Sequence, residues 1–463
     1  MHVSIVGAGY VGLVTGLCLA ERGHRVTCID VDSDKLEKLT QGVLPIHEPG
    51  LAQLLRRHLS IRFFPTPDLA GAVRVSDVTM ITVGTPIENG GINLRYVANA
   101  AAAIGHALAG HEDYHVVVVK STVVPGTTDE LVGPILEDAS GLRSGTAFGL
   151  GMNPEFLREG EAVNDFLNPD RIVVGGIDDR SRETIARLYE SFTGAKLIET
   201  NTRTAEMIKY ASNALLATLI SFSNEVGNLC SEAGGVDALD VLGAVHLDRR
   251  ISPTMTDGRR VTPEIASYLK AGCGFGGSCF PKDVTALVRW GEEHHRPTRL
   301  LSAVLETNDH QPGEVLALLK RHFPELNGLT VAVLGLSFKP DTDDVRASPA
   351  LRVIPLLLTE GATVVAYDPV ATDAARASLG RPDIRFATTM EQAVEGADAV
   401  VLLTAWAEFL RLPDLLLELA APPLVIDGRR ILDKRRVARY EGIGLSVPIH
   451  HEQPPANGAT AGL

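Results

Sequence analysis

The stretch HVSIVGAGYVGLVTGLCLAERGHRVTCID, residues 2–30, decides the fold of this chain. An apolar strand runs into a glycine-rich turn (Gly7, Gly9 and Gly12), an apolar helix follows, and a second strand ends at Asp30. The three glycines allow a tight turn, close approach of the backbone to a pyrophosphate, and close packing of helix on strand. This arrangement is typical of a dinucleotide-binding βαβ unit, in which an acidic residue stands about 20 positions beyond the glycines.

The end of the second strand indicates which dinucleotide is bound. The Asp30 carboxylate can accept hydrogen bonds from both ribose hydroxyls and would repel a 2′-phosphate, so we predict NAD. The helix start at Tyr10 and Val11 would stabilise the phosphate charge. Thr85 and Thr122 follow later strands at the same sheet edge and are candidates for the ribose or nicotinamide, although isolated threonines more often cap helices.

Strand and helix patterns alternate along the first part of the chain and restart in its last third. The segments LTVAVLG, ATVVAYD, DAVVLLT and PLVIDG, between Leu329 and Gly428, echo the first strands. Between the two halves, an apolar periodicity without proline predicts one helix from Arg203 to Ala233, and further helix is predicted over 284–308. We therefore predict an α/β protein: two Rossmann-like doubly wound domains, with parallel sheets, joined by a long central helix and a helical domain.

Composition narrows the class of protein. The 463 residues carry a net charge of −14, which argues against a nucleic-acid-binding surface, so an anionic ligand must be met by a local Lys/Arg cluster. The longest apolar runs, such as 399–404, are too short to span a bilayer, and a strand pattern at His2 leaves no room for a signal peptide. Five scattered cysteines show neither a disulfide framework nor a metal-binding spacing, so we expect a cytoplasmic protein without a metal.

The loop GFGGSCFPKD, residues 274–283, places one thiol, Cys279, between small residues and two charged ones. A thiol needs nearby positive charge or backbone N–H groups to become a nucleophile, and Lys282 is the local candidate for that charge. Taken alone, the loop fits a tight turn around a buried cysteine about as well. Asp283 lies four residues beyond the thiol and adds a carboxylate.

Two other segments offer polar groups for the same chemistry. NPEFLREG presents Glu155 and Glu159 after a strand end, and the long helix presents Lys209 and Asn213 one turn apart. Taken alone, the first pair fits a helix start and the second a solvated helix face. NAD beside an activated thiol points to oxidation of an alcohol to an acid, because the thiol can hold the aldehyde as a thiohemiacetal for a second hydride loss.

Together these segments resemble the UDP-glucose dehydrogenase (UDP-glucose/GDP-mannose dehydrogenase) family. The resemblance runs in order over nearly the whole chain through GAGYVG, TVGTP, STVVPGT, NPEFLREG, DFLNPDRIVVG, EMIKYASNALLATLISFSNE, GFGGSCFPKD and GLSFKPDTDDVRASP. It implies an NAD domain over 1–200, a central dimerisation domain with the cysteine loop over 201–310, and a nucleotide-sugar-binding domain over 311–447. The polar tail, 448–463, is expected to be disordered.

By position, the resemblance implies a NAD-dependent four-electron oxidation at C6 of a UDP-glucose or dTDP-glucose type substrate, with two NAD per turnover. Cys279 would be the nucleophile that forms the thiohemiacetal and thioester, and Lys209 would stabilise the oxyanion and alkoxide. Asn213 and Asp283 would position the C6 oxygen and the hydrolytic water. A homodimer or higher homo-oligomer is expected.

The base of the first oxidation stays open. Glu155 resembles the residue implicated in base catalysis during thioester hydrolysis, with Thr122 near a bound water. Alternatively, a water assisted by Asp283 and Thr122, with Lys209 holding the alkoxide, takes the first proton.

The resemblance also implies contact residues for both ligands. The matching substrate positions are Glu155, Phe156, Leu157, Arg158, Glu159, Lys209, Asn213, Tyr268, Leu269, Lys270, Ala271, Gly272, Gly276 and Lys339. Beyond the glycine turn and Asp30, the matching cofactor positions are Lys35, Thr85, Thr122, Glu159, Lys282 and Arg346. Lys339 and Arg346 supply charge suited to a diphosphate and a pyrophosphate in an otherwise acidic protein.

One segment departs from the family pattern. The family places an Arg-Ile-Gly element shortly before the aromatic residue that here is Tyr268, whereas this chain has RRIS followed by the extra segment PTMTDGRRVTPEIA. The family's arginine reaches the sugar from the partner subunit. Arg250 matches it by position, and Arg259 and Arg260 in the insertion compete for the role.

Other substrates and one other reaction class are alternatives. GDP-mannose and N-acetylhexosamine nucleotide dehydrogenases share the cysteine, and Arg429 lies where some relatives contact the nucleotide base. Uridine and thymidine differ by one methyl group, worth about 1 kcal/mol in an apolar pocket. Two-electron β-hydroxyacid-type dehydrogenases share the design but lack the cysteine loop, and a non-catalytic sensor would lack a catalytic group.

Overall fold

Buried apolar runs form the strands of two large sheets, one in each of two structural units. The structure, a computed structural model, describes residues 1–111 and 113–446, so the predicted tail 448–463 lies outside the described residues. The first unit comprises Met1–Ala217, Gly276–Leu305 and Ser337–Ala347, and the second comprises Thr218–Phe275, Glu306–Leu336 and the chain from Ser348. These units draw on separated segments, and the predicted limits at 200, 310 and 447 stay a prediction.

The first unit contains an eight-stranded sheet in the order β10-β9-β8-β7-β4-β1-β2-β3 and a short hairpin of β5 with β6. The strands are β1 (His2–Val6), β2 (Arg25–Ile29), β3 (Phe63–Thr66), β4 (Val78–Ile81), β5 (Ile87–Glu88), β6 (Gly91–Ile92), β7 (His115–Val119), β8 (Phe148–Met152), β9 (Arg171–Gly176) and β10 (Lys196–Thr200). The strand order reverses at β1, which pairs with β2 on one side and β4 on the other. Ligands of doubly wound sheets bind at such a reversal, beyond the carboxyl ends of the strands.

Helices cover both faces of this sheet. They are α1 (Tyr10–Glu21), α2 (Ser33–Thr40), α3 (Leu51–His58), α4 (Leu69–Arg74), α5 (Arg95–Leu108), α6 (Gly133–Ser140), α7 (Ala162–Leu167) and α8 (Asp179–Ala186). One buried cluster includes Leu13 and Leu17 of α1, and the other includes Ala101 and Ile104 of α5. Burial of these apolar side chains supplies the main driving force for the arrangement.

The predicted Rossmann-like architecture is confirmed, with one difference in the sheet. β8 and β9 are antiparallel and meet at only two residue pairs, Gly151 with Gly176 and Met152 with Gly175, so the first sheet is not wholly parallel. A Cβ on Gly151 would lie 2.7 Å from the Gly175 oxygen, which shows how closely the two backbones approach.

The predicted long helix is present as α9 (Thr202–Glu232), followed by α10 (Ala238–His246). The single helix predicted over 284–308 is wrong, because the chain forms α11 (Phe280–Glu293) and α12 (Arg299–Lys320) with a break between them. A Cβ on Gly291 would lie 2.8 Å from the Arg296 oxygen, so the chain folds back there. Pro297 also disfavours helical conformation in the residue before it.

The second unit contains a six-stranded, wholly parallel sheet in the order β13-β12-β11-β14-β15-β16. Its strands are β11 (Thr330–Leu334), β12 (Thr363–Tyr367), β13 (Arg385–Phe386), β14 (Ala399–Leu402), β15 (Leu424–Asp427) and β16 (Tyr440–Gly442). Its later helices are α13 (Pro349–Thr359), α14 (Thr372–Leu379), α15 (Met390–Val394) and α16 (Leu412–Leu417). Among the helices of the described residues, none is both long and apolar enough for a membrane crossing.

Candidate active site

The turn after β1 has the shape that the glycines predict. Gly7 adopts φ 110°, and a Cβ on Gly12 would lie 1.9 Å from the Gly7 oxygen, so only glycine fits at either position. At Gly9, by contrast, a Cβ would meet nothing within 4 Å, which leaves open space above the turn. Asp30 accepts the Ala8 N–H at 2.7 Å and thereby ties the end of β2 to the turn.

These residues fit a dinucleotide. α1 begins without a side-chain cap and without an acidic residue in its first turn, so its N-terminal N–H groups remain available to a phosphate. Lys35 lies 3.3 Å from the Asp30 carboxylate and adds a positive charge. Thr85 donates its hydroxyl to the Thr122 oxygen at 2.9 Å, which joins two of the predicted cofactor residues at the sheet edge.

A buried ion pair joins the strand end after β8 to α9. The Lys209 ammonium lies 2.8 Å from Glu155 Oε1, and the two side chains are only 4% and 8% exposed. Glu155 Oε2 also accepts the Leu157 N–H at 2.6 Å. Burial alone would raise the pKa of Glu155, but the positive charge of Lys209 and this hydrogen bond hold it below its usual value.

The cation of the pair faces several anionic groups. Burial lowers the pKa of Lys209, but attraction to Glu155, Cys279 and Asp283 outweighs it and raises the pKa above its usual value. The Phe156 ring lies 5.5 Å from the ammonium. Lys209 therefore stays protonated and is placed to stabilise negative charge near the thiol.

The first turn of α11 carries the predicted carboxylate. Asp283 is fully buried and accepts from Asn213 Nδ2 at 2.6 Å. Its other oxygen accepts from the Lys282 ammonium at 2.5 Å. The structure thus brings Asn213 and Asp283 together, one turn of α9 from Lys209.

Cys279 lies immediately before α11, and its sulfur is 3.6 Å from the Ser278 hydroxyl. Burial raises the pKa of the Cys279 thiol, while the positive charge of Lys209 acts against that rise. The expectation that Lys282 activates the thiol is wrong, because the Lys282 ammonium pairs with Asp283 and Lys209 is the cation that lowers the Cys279 pKa.

Glu159 lies among hydroxyl and charged groups from the segment 337–347 of the same unit. It accepts from Ser278 at 3.4 Å and from Arg346 at 3.5 Å, while Arg346 also binds Asp344 at 2.7 Å. Burial, and then repulsion from Asp344, raise the pKa of Glu159 to about 7. Burial lowers the pKa of Lys339, and attraction to Glu159 opposes that change.

Other predicted contact residues have defined surroundings in the same unit. Arg158 pairs with Asp165 at 2.7 Å. Gly276 is buried, Leu157 packs against the first core cluster, and Val11 is half-buried in α1.

Further predicted contact residues belong to the second unit: Arg250, Tyr268, Leu269, Lys270, Ala271, Gly272 and Arg429. The Gly272 N–H donates to Asn224 at 2.8 Å, and Arg429 donates to the Leu403 and Gly274 oxygens at 2.7 and 2.9 Å, so this segment is fixed by hydrogen bonds. Arg250 is exposed and pairs with Asp248.

The inserted segment forms its own small structure in the second unit. Thr254 and Arg260 form an isolated antiparallel bridge, and a short helical turn at Glu264–Tyr268 follows. Arg259 is exposed and pairs with Asp257 at 2.6 Å.

Family models match three successive parts of the chain. They describe the NAD binding domain, the central domain and the UDP binding domain of the UDP-glucose/GDP-mannose dehydrogenases, over residues 1–193, 203–310 and 332–434. The chain belongs to this family. The predicted family and the NAD cofactor are confirmed, and the chain is an NAD-dependent nucleotide-sugar dehydrogenase.

Similar proteins span the whole chain. UDP-glucose 6-dehydrogenase AglM of Haloferax volcanii is 44% identical over 96% of this chain and 100% of its own length. UDP-glucose 6-dehydrogenase TuaD of Bacillus subtilis is 42% identical over 100% of this chain and 96% of its own length. A solved UDP-glucose dehydrogenase from Pyrobaculum islandicum matches with a TM-score of 0.86, 40% identity, and 96% and 97% coverage of the two chains.

Sequence reasoning overlooked three buried groups of this dehydrogenase. Lys120 follows β7 and contacts Asn153, and its position in VVVVKST, a lysine directly after four valines, was the available signal. Glu48 contacts Tyr10 and accepts the Gly160 N–H at 2.7 Å, so it links the cofactor turn to the segment after Glu155. Nothing in the local pattern around Glu48 indicates this link.

The third group, Glu206, lies one turn before Lys209 on α9. It accepts the Gly126 and Thr128 N–H groups at 2.7 and 2.8 Å, together with the Thr128 hydroxyl. Burial raises the pKa of Glu206 to about 7. Its role is to hold the loop after Thr122 against the helix that carries Lys209.

Proposed function

We propose that this protein oxidises UDP-glucose at C6 to UDP-glucuronate and consumes two NAD per turnover. The observation that carries the proposal is the arrangement of Cys279, Lys209 and Glu155 within one unit, where a buried cation acts on both the thiol and a carboxylate. The family models and the UDP-glucose 6-dehydrogenases similar over their whole length support the substrate.

In the first oxidation the chain stabilises the C6 oxygen as it loses its proton. NAD, when bound, accepts a hydride from C6 in each of the two oxidations. Lys209 donates a hydrogen bond to the oxygen as negative charge develops there. Because Glu155 is already engaged by Lys209 and Leu157, a water held by Asp283 takes the first proton.

In the second oxidation Cys279 holds the intermediate. Its sulfur adds to the C6 carbonyl of the aldehyde, with loss of the thiol proton, and forms a thiohemiacetal whose oxygen Lys209 stabilises. Hydride loss from C6 then leaves a thioester. Glu155 accepts a proton from water as the water attacks the thioester carbonyl, which releases the acid and restores the thiol.

The contact residues for both ligands are part of this proposal. The glycine turn, Asp30 and Lys35 hold the adenosine part of NAD, which is supported by the open turn and by the Lys35–Asp30 contact. Thr85, Thr122, Lys282 and Arg346 are the further cofactor contacts. The FLREG segment with Lys339, the segment 268–272 with Gly276, and the arginines Arg250 and Arg429 serve the sugar nucleotide.

A panel of sugar nucleotides tests the substrate. The purified protein is incubated with NAD and, in parallel, with UDP-glucose, dTDP-glucose, GDP-mannose and UDP-N-acetylglucosamine, and NADH formation is followed at 340 nm. UDP-glucose is expected to give the highest kcat/KM. A higher kcat/KM with any of the other three refutes the proposed substrate.

We also propose that the protein is a homodimer and works in the cytoplasm. α9 exposes a stripe in which successive members alternate between four and three residues apart: Ala211, Leu215, Thr218, Phe222, Glu225 and Leu229. Leu215, Phe222 and Leu229 are each more than half exposed, and such a stripe is the pattern by which two helices pack along a seam. All five cysteines are free thiols, in keeping with a reducing compartment.

A further inference from the structure

Lys120, the first residue after β7, is a buried lysine that the reaction as described leaves unused. It is 3% exposed, and its ammonium donates to the side-chain oxygen of Asn153 at 2.8 Å and to its backbone oxygen at 3.3 Å. Both acceptors are neutral amide oxygens, while the Phe166 ring lies 5.9 Å away. Burying an ammonium costs several kcal/mol, so folding alone would favour an apolar side chain here.

The residue that Lys120 contacts controls the position of Glu155. Asn153 directly follows β8 and lies two residues before Glu155. Its N–H donates to the Val119 oxygen at 2.9 Å, and its Nδ2 donates to the Val173 oxygen at 2.8 Å. Its Oδ1 also accepts from the Tyr189 hydroxyl at 2.5 Å. Asn153 is therefore held by two neighbouring strands and one helical turn.

Charges on three different elements act on Glu155. Lys209 on α9 is the strongest influence, Lys120 after β7 adds a second attraction, and the Cys279 thiol before α11 also faces the carboxylate. Burial lowers the pKa of Lys120 to about 8, while attraction to Glu155 opposes that change and repulsion from Lys209 adds to it. At pH 7 Lys120 therefore carries its positive charge.

We propose that Lys120 is a positioning residue for thioester hydrolysis: its buried ammonium fixes Asn153, and through it the Glu155 carboxylate, and adds a second positive charge beside that carboxylate. The inference rests on the proposed role of Glu155 as the base in hydrolysis. It assigns a function to a buried charge that the fold does not need.

Replacing Lys120 by methionine tests this idea, because methionine fills the buried space without charge and Tyr189 still satisfies Asn153. Loss of the positive charge raises the pKa of Glu155, and hydrolysis requires Glu155 ionised. The acid limb of hydrolysis therefore moves to higher pH, by about one unit, which is about a tenfold loss of rate below the new pKa. The KM for UDP-glucose is expected to stay within a factor of about two of the wild type.

The readout separates hydrolysis from the oxidations. After mixing enzyme, NAD and UDP-glucose, intact mass spectrometry follows the covalent adduct on Cys279, and stopped-flow absorbance follows NADH, between pH 5.5 and 9. In Lys120→Met the adduct is expected to accumulate at pH 6 and to disappear with the shifted profile. If the melting temperature shows that this variant is unfolded, Lys120→Gln replaces it, since it also lacks the charge but keeps an N–H donor.

Tyr189→Phe is the matched control, because it removes the other hydrogen bond to Asn153 Oδ1 without changing charge. It is expected to lower hydrolysis equally at all pH values, without a shift of the acid limb. An unshifted limb in the folded Lys120 variant, or an equal shift in Tyr189→Phe, overturns the inference. A wild-type enzyme that forms no Cys279 adduct would instead refute the proposed function itself.

Discussion

Replacing Lys209 by methionine should destabilise the first unit substantially, because it breaks a buried ion pair. The Lys209–Glu155 contact is 2.8 Å, with both side chains less than a tenth exposed. Removing one partner of such a pair costs about 3–5 kcal/mol, since the other charge stays buried. We expect a loss near the lower value, about 3 kcal/mol, because the Leu157 N–H and the charge of Lys120 still act on Glu155.

A second substitution checks the origin of the loss. Glu155→Gln in the Lys209→Met background removes the stranded charge and retains an acceptor for the Leu157 N–H. The double variant should regain about 2 kcal/mol relative to Lys209→Met. Equal or greater destabilisation of the double variant would contradict the ion-pair account.

The pH dependence has a definite sign. In the wild type the pKa of Glu155 is lowered, so its contribution is present above the unfolded-state pKa and is lost as the pH falls through the folded-state pKa. In Lys209→Met the pKa of Glu155 rises, and its protonation relieves the stranded charge. The gap between wild type and variant should therefore shrink between pH 7 and pH 4.

The two tryptophans make the assay specific. Trp290 belongs to the first unit and Trp406 to the second, and they are the only tryptophans in the chain. In a Trp406→Phe background, urea unfolding followed by fluorescence reports on the unit that carries the ion pair. An unfolding free energy within about 0.5 kcal/mol of wild type for Lys209→Met would refute the reasoning.

Three further predictions address the cofactor, the assembly and the thiol. Asp30→Asn should raise the KM for NAD about tenfold and reduce discrimination against NADP, measured by steady-state kinetics with each cofactor; unchanged discrimination would contradict the assignment of Asp30 to the ribose. Phe222→Glu should yield a monomer by light scattering, whereas Leu417→Glu, at an equally exposed apolar residue away from α9, should not; a dimeric Phe222 variant would exclude the α9 seam. Iodoacetamide should label Cys279 in the free enzyme with a pH midpoint above the usual thiol pKa, and Lys209→Met should move it higher, as peptide mass spectrometry can show; a midpoint that stays in place would remove Lys209 as the activating cation.

The elements with strong periodicity were predictable. The apolar repeat of α9 predicted its ends to within one residue, because a proline-free run of that length has one stable conformation and a Gly-Gly pair ends it. The helix break after α11 was not, because it depends on the close approach of Gly291 to Arg296. β9 was also overlooked as a strand, since its pairing with β8 is antiparallel and confined to glycine-containing positions.

The candidate site divides in the same way. Motifs predicted that Glu155, Lys209, Asn213 and Asp283 serve one site, and the structure joins them in two directly bonded pairs. The identity of the cation acting on the thiol depended on three-dimensional distances, which local spacing cannot supply. Lys282 is adjacent in sequence and Lys209 is not, and yet Lys209 is the one that acts.

Counting NADH per sugar with and without the thiol tests the central claim most directly. Each protein is given a limiting amount of UDP-glucose and excess NAD, and total NADH is compared with the sugar product identified by mass spectrometry. The wild type should form two NADH per UDP-glucose and release the acid, and Cys279→Ser should form no more than one. Two NADH and free acid from Cys279→Ser at the wild-type rate would contradict the thioester route.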